Sequence, residues 1–167
     1  MTLIAALAAV VVPTIISEVK KSDPQTVGND LLAIRGASEQ FLSDVRKYPG
    51  SIGQLTTLIT TTQTPLIGTA LAPFGTAEVN RWRGPYISKD TVTGLVTAFG
   101  TFVTKFDTLT SNGQKYMVVL LPMTDSLSGI EVDKQFDDGN TATGSIRYKA
   151  KGASGSDTLK YLLMPIY

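Results

Sequence analysis

The hydrophobic pattern divides the chain into three zones. Residues 1–16, MTLIAALAAVVVPTII, form an apolar run without a charge, broken only by Thr2, Pro13 and Thr14. Glu18, Lys20 and Lys21 follow as a polar collar. A helix that is apolar on every side must be buried in lipid or among other helices. A bilayer-spanning helix takes about 20 apolar residues, and this run falls short of that. It also lacks the basic residues that precede a signal-peptide core, and no cleavage signal follows it. Three readings stay open: a core helix, a signal sequence, or a helix buried against copies of itself. Pro13 would kink such a helix, which neighbouring helices or lipid can tolerate.

The second zone is amphipathic. Val27, Leu31, Ile34, Phe41, Val45 and Tyr48 recur at helical spacing, with Ser38 filling the one gap in the stripe. Asn29, Arg35, Glu39, Gln40, Ser43, Arg46 and Lys47 take the other face. The pattern predicts a helix over 24–48. Ser22 or Asp23 would cap it, with Pro24 in its first turn. Arg46 and Lys47 suit its C-terminal dipole, and Pro49-Gly50 would end it.

The third zone reads as loops and strands. Residues 51–60 suit a short helix with Ile52, Leu55 and Ile59 on one face, and 60–80 is a loop rich in Thr, Pro and Gly. Strands are expected over 99–106, 115–122, 130–136, 144–150 and 158–167. Ser111-Asn112-Gly113 holds a strong hairpin dipeptide, and 137–140 (Asp-Asp-Gly-Asn) is a turn. Helix first and strands afterwards predicts α+β: a long N-terminal α-helix, apolar stem plus amphipathic half, packed on a C-terminal antiparallel β-sheet arranged as a meander. The expected layout is a stem over 1–22 and a globular domain over 23–167, with helix 24–48, loop region 49–98 and sheet 99–167.

Composition narrows the chemistry. The chain has 167 residues, 15 Lys and Arg against 14 Asp and Glu, and neither His nor Cys. Near-neutral charge gives no electrostatic footprint for nucleic acid. Thiol nucleophiles, disulfides and zinc–thiolate sites are excluded, and the commonest general base is missing. A Ser–Lys hydrolase would need Ser154 or Ser156 beside Lys151, and no recognised motif surrounds them. No enzyme is expected. Asp133, Asp137, Asp138 and Asn140 offer hard oxygen ligands of the type calcium takes. The same residues are ordinary turn formers, and their spacing is not that of an EF-hand. No other cofactor is implied. Trp82, the single tryptophan, lies beside Arg81 and Arg83. It could stack on a base or sugar, but flanks that are not basic overall favour Trp82, Pro85 and Tyr86 as core residues that plug the helix-to-sheet seam.

These landmarks together resemble the type IV pilin-like family, most of all the major pseudopilins of type II secretion. The resemblance rests on a hydrophobic N-terminal helix with an internal proline, then Arg46-Lys47-Tyr48-Pro49, and Trp82-Arg83-Gly84-Pro85-Tyr86-Ile87 ahead of the strands. The segment with Phe136-Asp137-Asp138-Gly139-Asn140 and Gly144-Ser145-Ile146-Arg147-Tyr148 is similar to prepilin-like proteins. The likeness covers residues 1 to about 90 and 130–150. Two features depart from it. The family glutamate at mature position five is replaced by Ala5 after Leu3-Ile4, and Ser88-Lys89-Asp90-Thr91 follows Ile87 where the major pseudopilins continue differently. Either Met1 is the mature N-terminus of a glutamate-free, tip-type subunit, or Pro13 matches a family proline and Met1 lies inside the stem. The proline match is the reading favoured here.

The resemblance implies a pilin-like fold and a structural subunit of a pilus or pseudopilus. It would polymerise as a helical homo-oligomer through Leu3, Ile4, Leu7, Val10, Val11, Pro13 and Ile15. Expected partners are other pilin-like subunits, an inner-membrane assembly platform and the membrane itself through the N-terminal helix, with no nucleic acid. The subunit would reside in the bacterial inner membrane before assembly, and in a periplasmic or extracellular filament afterwards. The alternative is a minor or tip subunit that acts as a membrane-tethered binding module through the 60–80 loop and the Trp82 region. Similar pseudopilins bind calcium in a loop near the C-terminus, where this chain offers only Asp157.

Overall fold

A computed structural model describes residues 2–66, 72–88, 96–97, 99–123, 126–150 and 157–167, with side chains from residue 24 onward except at Val96 and Ser126. The first element is one α-helix, α1, Thr2–Val45, 44 residues long. The helix does not restart at Ser22 or Asp23, as the capping pattern predicts. It runs through Pro24, whose ring is buried. A proline inside a helix removes a single backbone bond, and here the turns on both sides keep helical geometry. The amphipathic stripe is the buried face. Val27, Ile34, Phe41, Val45 and Ser38 are fully buried, and Leu31 nearly so. Ser38 is tolerated because its hydroxyl donates to the Ile34 carbonyl at 2.8 Å. The helix stops at Val45, earlier than Tyr48, because Arg46 takes a left-handed conformation with φ 62°. The Arg46 amide still bonds the Leu42 carbonyl at 2.9 Å, closing the last turn.

Two short helices follow, α2, Gly53–Thr56, and α3, Thr76–Arg81. Ile52, Leu55 and Ile59 are all fully buried, although only four residues there are helical. The segment after Thr60 is not wholly surface loop, since Phe74 is buried and α3 follows it. Gln54 organises the region. Its side chain accepts from the Gly50 amide at 2.7 Å and donates to the Thr64 carbonyl at 2.9 Å, and its own carbonyl accepts from the Trp82 indole at 3.0 Å. Through its side-chain amide and its backbone carbonyl, Gln54 thereby joins three separate stretches of chain.

The strands are β1, Val96–Thr97, β2, Gly100–Thr101, β3, Asp107–Ser111, and β4, Gln114–Met123, then β5, Ile146–Lys149, and β6, Asp157–Ile166. β1 and β2 form a small ribbon, and the main antiparallel sheet has the order β3-β4-β6-β5. α+β is therefore the observed class. The β3–β4 hairpin turns at Asn112 (φ 51°) and Gly113 (φ 78°), the left-handed pair of a type I′ turn.

Three expectations about the sheet are corrected. Residues 130–136 are not a strand. They belong to helix α4, Ser126–Phe136. Gly129, Val132 and Asp133 are buried and Phe136 packs against the core, at helical spacing. A glycine and an acid on the inner face hid that period. Nor is the sheet a meander, because β6 lies between β4 and β5. β4 and β6 carry the long apolar runs, so they take the two central places, and the four-residue β5 takes an edge. Residues 99–106 supply only β2 and an isolated bridge between Lys105 and Ser51. Only Phe102 and Phe106 of that stretch are buried, and Thr104 between them is half-buried, so the inner face of a continuous strand is not filled.

A bulge sits between Met117↔Met164 and Val118↔Leu162, leaving Leu163 as the extra residue. It lets Leu159, Tyr161 and Leu163, then Met164 and Ile166, all join the core. α1 packs on β6 and α4. At Gly28 of α1 the Phe136 ring of α4 packs so closely that a Cβ would run into it.

Candidate functional site

Among the described residues, three acidic side chains close enough to share one ion lie where α4 ends. Asp133 and Asp137 are one helical turn apart, and the Asp137 amide donates to the Asp133 carbonyl at 2.8 Å. This places both carboxylates, with that of Asp138, at one end of the helix. One oxygen of each of Asp133, Asp137 and Asp138 lies within 4.8 Å of the others.

The three carboxylates differ in their surroundings. Asp138 is exposed, accepting from the Thr143 hydroxyl at 2.7 Å and the Asn140 amide at 2.9 Å. These bonds hold its carboxyl below its ordinary range. Asp137 accepts from the Ile146 amide at 2.7 Å and so ties the turn to the start of β5. Asp133 is 0 % exposed. Among the described residues, neither of its carboxylate oxygens has a hydrogen-bond partner. Burial, and then the charges of Asp137 and Asp138, push its carboxyl above the ordinary range.

Asn140, the fourth residue expected here, turns its side-chain oxygen to the Ala142 amide at 3.2 Å. Sequence reasoning missed Gly144, which closes the turn with φ 69°. A Cβ on Gly144 would collide with the Asp137 carboxylate. Glycine two residues before a strand was the available signal.

The aromatic region is a structural joint. Trp82 packs edge-on to Tyr86 with ring centroids 5.7 Å apart, and Tyr86 packs likewise on Phe41 at 5.7 Å. The Trp82 N–H is engaged by the Gln54 carbonyl, so this ring ties α2 to α1. Pro85 is exposed, beside Tyr86. The Tyr86 hydroxyl donates to Asp44 at 3.0 Å and accepts from the Arg83 amide at 2.9 Å. Desolvation, reinforced by Asp44, pushes this phenol above its ordinary value. Tyr86→Phe is expected to cost about 1–2 kcal/mol in urea unfolding near neutral pH. The folded state holds this proton more tightly than the unfolded state. Wild-type stability therefore falls as pH rises above about 10, whereas the variant lacks that part of the loss.

The stem residues Leu3, Ile4, Leu7, Val10, Val11, Pro13 and Ile15 all belong to α1, and their side chains lie outside the described residues. Lys151, Ser154 and Ser156 lie outside them as well. Among the described residues, no helix is long and apolar enough to cross a membrane. The chain matches no protein-family model, no curated protein and no solved structure.

Proposed function

We propose that the protein is a structural subunit of a type IV pilus-like or type II secretion pseudopilus filament, built through its N-terminal helix. The observation that carries this reading is the continuity of α1 from Thr2 to Val45. Its stretch from Val27 to Val45 supplies the helix's described share of the core. Ahead of Pro24 the same helix goes on through the uncharged run of residues 2–16. A charge-free helical extension suits burial against like helices of neighbouring subunits, with a gain of about 25 cal/mol per Å² of apolar surface. Head-to-tail contacts that do not close would make such an assembly an open filament. Before assembly the same stem would hold the subunit in the inner membrane, and the sheet domain would decorate the outside of the filament.

The experiment is replacement of Leu7 or Val11 by Asp in the full chain, expressed with a pilus or pseudopilus assembly machinery. An unpaired carboxylate among packed stems costs several kcal/mol per subunit. Electron microscopy is expected to show filaments for the wild type and none for either variant, while circular dichroism shows the domain still folded. Filaments of wild-type number and length from Val11→Asp would refute the stem-packing reading.

A further inference from the structure

We propose that Asp133, Asp137 and Asp138 bind a hard divalent cation, calcium by preference, at the junction of α4 and the turn that leads to β5. The inference stands independently of the filament reading. A carboxylate withdrawn from water and left without donors is among the most unfavourable groups a fold can contain. Asp133 is fully buried and, among the described residues, unpartnered at both oxygens. No described Lys or Arg forms an ion pair with it. Lys134, the one base in the last turn of α4, is exposed. Arg147 gives its guanidinium to the Ser111 hydroxyl at 2.7 Å and to the Gly144 carbonyl at 3.3 Å. Two further carboxylates face the same spot, and a cation there would compensate all three.

Size and ligand type point to the ion. Oxygens that all touch one calcium, at about 2.4 Å each, can lie no more than about 4.8 Å apart. The three carboxylates satisfy that limit. All are hard oxygen donors, and the chain has no His or Cys to attract a softer metal. The helix end adds to the field, because the last carbonyls of α4 leave partial negative charge there. Exposed Asp138 leaves one side open for water ligands, which calcium's flexible shell accommodates.

A bound ion would tie three parts of the fold together. Asp133 belongs to α4, Asp137 holds the Ile146 amide of β5, and Phe136 between them rests on Gly28 of α1. Calcium would therefore brace α4 against both the sheet and the long helix.

The test uses the full chain, stripped with a chelator and titrated with calcium chloride, with magnesium chloride in parallel. Calorimetry is expected to show one site per chain. Saturating calcium should raise Tm by about 5 °C, with magnesium weaker. Asp133→Asn makes the diagnostic prediction, because its two effects have opposite sign. In chelator it should melt above the wild type, since the lone buried charge is gone, and it should lose the calcium increment. Asp138→Asn, at an exposed position that threatens folding least, should weaken calcium binding about tenfold or more. Glu131→Gln, exposed on the same helix, should bind as the wild type does. An absence of calcium binding by the wild type, or an equal calcium increment in Asp133→Asn, overturns the proposal.

Discussion

Phe41→Ala is expected to lower the unfolding free energy by about 4 kcal/mol, the upper range for a buried aromatic removed from a core. Phe41 is fully buried at the centre of an aromatic chain. Its ring meets Phe74 edge-on at 6.1 Å and Tyr86 at 5.7 Å. Truncation removes both contacts, each worth about 0.5–1.5 kcal/mol beyond the area it buries. The cavity cannot easily collapse, because its walls are held from behind. Tyr86 is tethered to Asp44 and the Arg83 amide, and the Phe74 amide is bonded to the Gln63 carbonyl at 2.9 Å. Urea unfolding followed by far-UV circular dichroism should show a lower midpoint with an unchanged slope. A loss below about 1.5 kcal/mol would mean that the loops close over the gap, and that the joint between α1 and α2 is softer than its hydrogen bonds suggest.

Gly144→Ala is the second large effect, expected at about 3 kcal/mol from two sources. A side chain at φ 69° costs about 1 kcal/mol relative to glycine. The added methyl also collides with the Asp137 carboxylate and displaces it from the Ile146 amide. A charge-assisted bond of that kind is worth about 1.5–3 kcal/mol. The measurement is urea unfolding in chelator, of Gly144→Ala, Asp137→Ala and the double variant. If the methyl acts through Asp137, the double variant should be less destabilised than the sum of the two singles. Strict additivity would show that backbone strain alone is responsible.

The parts of the fold that could be read from the sequence are those set by local rules. The stripe from Val27 to Val45 keeps one helical period over five turns, so its buried face was legible residue by residue. Asn112-Gly113 announced its own hairpin. The helix α4 was not legible, because its inner face includes Gly129 and Asp133, which no apolar pattern counts as core. The sheet order was not legible either, since pairing β4 with β6 joins residues such as Lys115 and Ile166, which no local signal links. The candidate site divides in the same way. Oxygen ligands at Asp133, Asp137 and Asp138 could be counted along the chain, and their convergence on one point was a fair expectation for a turn. The burial of Asp133 depends on α4 facing the core, a tertiary fact. Asn140 appeared equivalent to its neighbours in sequence, yet its side chain closes the local turn at Ala142.

The strand order also bears on how the chain is made. β6 fills the gap between β4 and β5 but follows both in sequence. Until residues 159–164 have been synthesised, Met117, Val119 and Leu121 of β4 lack the neighbours against which they pair. A nascent chain can form α1 and the β3–β4 hairpin early, but it cannot close the sheet part-way. The domain must therefore pass through synthesis open, with its most apolar strand exposed to chaperones, and it folds only after the last strand is complete. A chain kept open for that long can still be threaded through a channel too narrow for a folded domain.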